Sequence, residues 1–110
     1  MKAPFAGRWR IVEMEQWAQE FVDVVSPGHI TFNGDGCGEL HFVAVDVNLD
    51  WRVGATANWV DFAFEGFDDG DEVSGSGWAE LTGTKLTGRI AFHLGDESGF
   101  VAQKAGKARR

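Results

Sequence analysis

The chain has no tyrosine, one cysteine, two prolines and, over residues 1–103, only six lysines and arginines against seventeen acidic residues, a formal −11. Each shortage excludes something. Cys37 stands alone, so no intrachain disulfide can staple the fold and stability must come from packing. An acidic body repels phosphate backbones, so nucleic acid is not an expected partner. No stretch approaches the roughly 20 consecutive apolar residues of a membrane-spanning helix. No apolar run of signal-peptide length precedes Trp9, so a cytoplasmic protein without membrane contact is expected.

The abundant residues point to β structure. Fifteen glycines and fourteen aromatics (nine Phe, five Trp) among 110 residues suit short aromatic strands joined by tight turns. The length supports a single core, predicted to span residues 1–104, with 105–110 as a basic flexible tail. Arg8–Met14 alternates with Trp9 and Ile11 on one face. From Glu15 to Val25 the period changes: Trp17, Phe21 and Val24 or Val25 fall on one helical stripe, and Pro27-Gly28 ends it. A helix of about three turns is therefore predicted, too short to stand alone and suited to covering a barrel mouth.

Beyond it the alternation returns. His29–Asn33 and Glu39–Val45 flank a Gly/Asp cluster as a hairpin. Val47–Val53 follows, with Asp46 as the turn or bulge between. Asn58–Phe67, Val73–Leu81, Lys85–Leu94 and Phe100–Lys104 complete the pattern, separated by Asp68–Glu72, Gly83-Thr84 and Gly95–Gly99. The expected fold is all-β: an up-and-down antiparallel barrel of about eight strands with one short helix after the first strand. Trp9, Phe32, Phe42, Trp51, Phe62 and Phe92 head its inward set.

Phe5-x-Gly7-x-Trp9, the alternating strand and then Glu15-Gln16-Trp17-x-x-x-Phe21 resemble the opening of the calycin-type barrels, the lipocalins and intracellular fatty-acid-binding proteins. The resemblance covers about twenty residues. It implies that Trp9 packs across one end of the barrel, that a helical segment lids the other, and that a basic residue from a late strand partners the Trp. Arg89 is the counterpart by chain position. The Arg-x-Tyr ligand clamp of fatty-acid-binding proteins is absent, because this chain has no tyrosine.

Function divides three ways. The leading expectation is a non-enzymatic binding protein acting on a protein partner, or as a homodimer, through its acidic, aromatic-containing surface; Val43, Val45, Trp59 and Trp78 fall outside the inward pattern and are the candidate interface. The alternative is a carrier of a small apolar ligand, held in a hollow interior by Trp51, Phe62, Gly75, Gly77 and Phe92. A cavity below roughly 300 Å³ would count against a carrier. An enzyme would need Arg89, His93 and a carboxylate to converge. No nucleophile elbow, Ser-His-Asp order or dinucleotide fingerprint is present, so no catalytic residue is assigned. His29, His41 and His93 lack ligand spacing, and Asp68–Glu72 lacks the pattern of a calcium loop. Neither metal nor cofactor is expected.

Overall fold

The computed structural model describes residues 3–105, so most of the expected basic tail lies outside the described residues. Eight strands run in chain order: β1 Gly7–Met14, β2 His29–Phe32, β3 Cys37–Phe42, β4 Val45–Val53, β5 Trp59–Asp68, β6 Asp71–Thr82, β7 Lys85–Phe92 and β8 Glu97–Lys104. Each pairs antiparallel with the next, and β8 returns to β1 to close the barrel. Closure leaves no unpaired sheet edge, which is the physical gain of the architecture. The expected eight-stranded antiparallel barrel is the fold observed.

The alternating residues face inward as the period-two pattern requires. Ile30, Phe32, Leu40, Phe42, Val60, Phe62, Phe64, Ile90 and Phe100 are all buried. One end is plugged. Phe5 is fully buried and meets Phe32 and Trp51 edge-on at 5.5 and 5.1 Å. The Trp9 indole N–H donates to the Phe5 carbonyl at 2.8 Å, and the Lys104 ammonium lies 5.0 Å from the Trp9 ring. Gly7 adopts φ +116 beside this contact, and the Lys104 ammonium fills the space where a Cβ would stand. The basic partner of Trp9 is thus Lys104 of β8, not Arg89. Arg89 points outward, because it neighbours Trp78 on the opposite face from inward-facing Ile90.

The middle of the barrel is solid. A Cβ on Gly75 would lie 2.6 Å from the Phe64 ring, and one on Gly77 2.7 Å from the Phe62 ring. The missing side chains on β6 make room for two phenylalanines. Trp51 is equally committed, donating its indole N–H to the carbonyls of Asn33 and Cys37 at 3.0 and 2.8 Å.

Three local expectations are corrected. The helix is a single turn, α1 Gln19–Val22, not three turns. The buried residue in it is Val22, while Phe21, Val24 and Val25 are exposed. The connection between β3 and β4 is the residue pair Val43-Ala44, earlier than Asp46, so Val45 faces the interior instead of the outer wall. Leu94 does not continue β7; it sits in the next turn with φ 58 and is 94% exposed.

Candidate functional site at the open end of the barrel

Strand direction sorts the connections into two ends. Residues 33–36, 54–58 and 83–84 lie at the plugged end, with the start of β1 and the end of β8. Residues 15–28, 43–44, 69–70 and 93–96 lie at the other. The long 15–28 crossover covers part of that open end. The Val43 N–H donates to the Val22 carbonyl at 2.9 Å, and the Trp17 ring packs on Phe42 at 5.2 Å.

What the crossover leaves uncovered is a cleft of about 730 Å³. Its apolar floor is aromatic: Trp17, Phe42 and Phe92, the last two with ring centroids 6.2 Å apart. Phe64 supports Phe92 from below, edge-on at 5.4 Å. Val43, Val45 and Val73 form the apolar sides, and Asp68, Glu72, His93 and Asp96 bring polar groups to the rim.

The backbone around the cleft is unusual. Among the described residues, the three non-glycine positions with positive φ, Val43 at 55, Asp69 at 52 and Leu94 at 58, lie in turns at this end. For Asp69, followed by Gly70, this is ordinary hairpin chemistry. For β-branched Val43 it is a costly conformation, of the order of 1–3 kcal/mol. It persists because the hydrogen bond to Val22 and packing against the core hold it.

The base of the crossover is tied by one carboxylate. Asp23 accepts from the Gly28 N–H at 2.8 Å and from the Gln19 amide and Arg10 guanidinium at 3.0 Å each. Burial pushes the Asp23 carboxyl upward, but these three donors together prevail and hold it below the ordinary aspartate value.

A second, shallower groove of about 390 Å³ crosses the outer wall between Trp78, Arg89, Gly99 and Glu15. Arg89 is clamped there by Glu15 at 3.1 Å and Glu97 at 3.0 Å. The Gly99 N–H and then the Arg89 charge hold the Glu15 carboxyl below its usual range, and the hydrogen bond to Glu97 leads in raising the Arg89 value. Arg89 and His93 therefore border different clefts, and the convergence an acid–base site would need is not made. Among the described residues, no group of three or more His, Cys, Asp or Glu side chains is arranged to hold a metal ion. No described helix is long and apolar enough to cross a membrane.

The sequence-predicted site residues divide accordingly. Of the five expected to line a hollow interior, Phe92 borders the open-end cleft. Trp51, Phe62, Gly75 and Gly77 belong to the packed body below it. Of the four interface candidates, Val43 and Val45 line the cleft. Trp59 and Trp78 remain on the outer wall, stacked at 4.5 Å and 11°, each half-buried by the other and its surroundings. Asp68 reads in the sequence as the first residue of the Asp68–Glu72 turn, but it ends β5 and continues the period of Phe62 and Phe64 by two more steps. Trp17 was legible as apolar, but only the path of the crossover places it over Phe42. Compared with known protein families, curated proteins and solved structures, the chain matches none.

Proposed function

We propose that this protein binds a small, partly apolar ligand in the open end of its barrel and catalyses no reaction. The observation that carries this reading is the cleft itself. Its volume of about 730 Å³ falls within the span of ordinary ligand sites, about 300–1,000 Å³, and barrel mouths are a favoured place for them. An aromatic floor with a few polar groups at the rim is the usual division of labour in such sites, apolar area for affinity and polar groups for orientation. The plugged end, with Trp9 across it and a crossover on the opposite side, supports a calycin-like reading of the barrel. Because the centre is packed, the ligand sits in the mouth and not along the barrel axis.

Nile red, a neutral environment-sensitive dye, tests this. Its emission should rise with saturable one-to-one binding to the wild-type protein. Val73→Trp, which fills one side of the cleft at a half-buried position, should remove that binding while far-ultraviolet circular dichroism stays unchanged. Equal dye binding by the folded variant would refute the placement.

A second reading, association with a protein partner or a second copy through the outer wall, is favoured by one observation. The Trp59–Trp78 stack places two large aromatics on a face that the barrel does not need for its core.

A further inference from the structure

We infer that the cleft, read as a ligand site as above, takes an organic cation: an apolar or aromatic body carrying an amine or quaternary ammonium head. Basic residues are segregated along the barrel axis, whereas acidic ones stand at both ends. The four open-end connections, residues 15–28, 43–44, 69–70 and 93–96, contain no lysine or arginine. They carry Glu15, Glu20, Asp23, Asp69 and Asp96, and the strand ends beside them add Asp68 and Glu72. Arg8, Arg52, Lys85 and Lys104 lie toward the plugged end. Arg10 and Arg89, midway along the wall, are already engaged by Asp23 and by Glu15 with Glu97. The potential at the open end is therefore negative, and a concave site with apolar walls concentrates it.

Asp68 gives that potential a position. Residues 62, 64, 66 and 68 share the inward face of β5, so Asp68 stands above Phe62 and Phe64, opposite Val45 in register. It is half-buried and lines the cleft. Among the described residues its carboxylate has neither an ion pair nor a side-chain hydrogen bond. A partly desolvated carboxylate at the lip of an apolar site gains most from a charged donor, because the charge-assisted hydrogen bond is the strong kind. Trp17 and Phe92, half-buried at the cleft, have the same preference, because an aromatic face attracts cations and disfavours anions. Carboxylate head groups, as on a fatty acid, and anionic lipid surfaces would meet like charge here. Size follows from the cavity and sign from its lining.

Three ligands sharing one tail test the inference: decylamine, charged at pH 7 as a lysine is, neutral decanol and anionic decanoate. They are titrated calorimetrically into the full chain below their aggregation concentrations. At low salt decylamine should bind about tenfold or more tighter than decanol, one such charge-assisted contact, with decanoate weakest. That preference should shrink as salt screens the rim. Asp68→Asn should lower decylamine affinity toward that of decanol and leave decanol within about twofold, well under the 1.4 kcal/mol that marks a tenfold change. Equal binding of all three, or tightest binding of decanoate, would overturn the cation preference while leaving the cleft as a ligand site. Binding of none would overturn both readings. The salt series on the wild-type protein decides the matter even if the variant fails to fold.

Discussion

Trp9→Ala probes the plug on which the barrel's closed end depends. Trp9 is 3% exposed, so nearly its whole indole is removed from water. Deleting a buried Trp or Phe side chain to Ala costs about 3–5 kcal/mol, the lost transfer energy plus a cavity that relaxes only partly. Here relaxation is hindered. Phe5, Phe32 and Trp51 are fixed edge-on to one another, and Trp51 is further held by two hydrogen bonds. The Phe5 carbonyl, fully buried with its residue, would lose its 2.8 Å donor, a penalty of about 1–3 kcal/mol that overlaps the cavity term. A loss near 4–5 kcal/mol is expected, toward the top of the cavity range. Trp9→Phe keeps most of the apolar area and forfeits mainly the hydrogen bond, so about 1–2 kcal/mol is expected. Lys104→Met removes an exposed cation–π contact and the 2.8 Å hydrogen bond from the ammonium to the Ala6 carbonyl, and should cost about 1–2 kcal/mol. Urea unfolding at constant slope reads all three; with a slope near 1.5 kcal/mol/M, the Ala variant should unfold about 3 M earlier. A Trp9→Ala loss under about 1 kcal/mol, below the range for any large buried side chain, would refute the plug. So would a Phe variant as unstable as the Ala variant.

Two further outcomes follow from the outer parts of the molecule. Asp23 holds the crossover base in its ionised form and its folded pKa is depressed. Its contribution is therefore full above the unfolded aspartate value of about 3.9 and is lost as pH falls below that, through the folded value. Asp23→Ala should cost about 1–3 kcal/mol at pH 7, and the gap to wild type in urea melts should narrow from pH 4 downward; a gap independent of pH would contradict the role. Replacing Trp59 and Trp78 together with Thr should abolish any self-association seen by sedimentation velocity, and unchanged sedimentation of a self-associating wild type would reject the outer-wall interface.

The Val43-Ala44 turn shows where sequence patterning stops. Val43 belongs in a strand by propensity, and neither residue is among the Gly, Asn, Asp, Pro and Ser that mark turns. Nothing local distinguishes them from their neighbours, so the reversal appears three residues later, at Asp46. The pairing of Phe42 with Val45 and the bond from Val43 to Val22 force it earlier and turn Val45 inward. Slipping a turn reassigns faces, because side chains alternate with period two. The helix fails for a related reason. The Trp17, Phe21, Val25 stripe has helical spacing, but the crossover must span the mouth, and Asp23 captures the Gly28 N–H after one turn. Arg89 was a reasonable counterpart for Trp9 by chain position alone, yet the β7–β8 and β8–β1 registers bring Lys104 there and leave Arg89 outside.

Alternation of apolar and polar residues determined the strands, their number and most of the inward set without further help, since any sheet with one dry face must obey it. Gly83-Thr84 likewise announced its own turn, and the acidic run Asp68–Glu72 contains one, although only Asp69-Gly70 of it lies between strands. Which carboxylate overlooks which ring, and how much space remains above Phe42 and Phe92, were settled only by closure. A cleft is the volume left over when eight strands and one crossover have been placed, and that remainder depends on contacts between residues far apart in the chain, which no local pattern encodes.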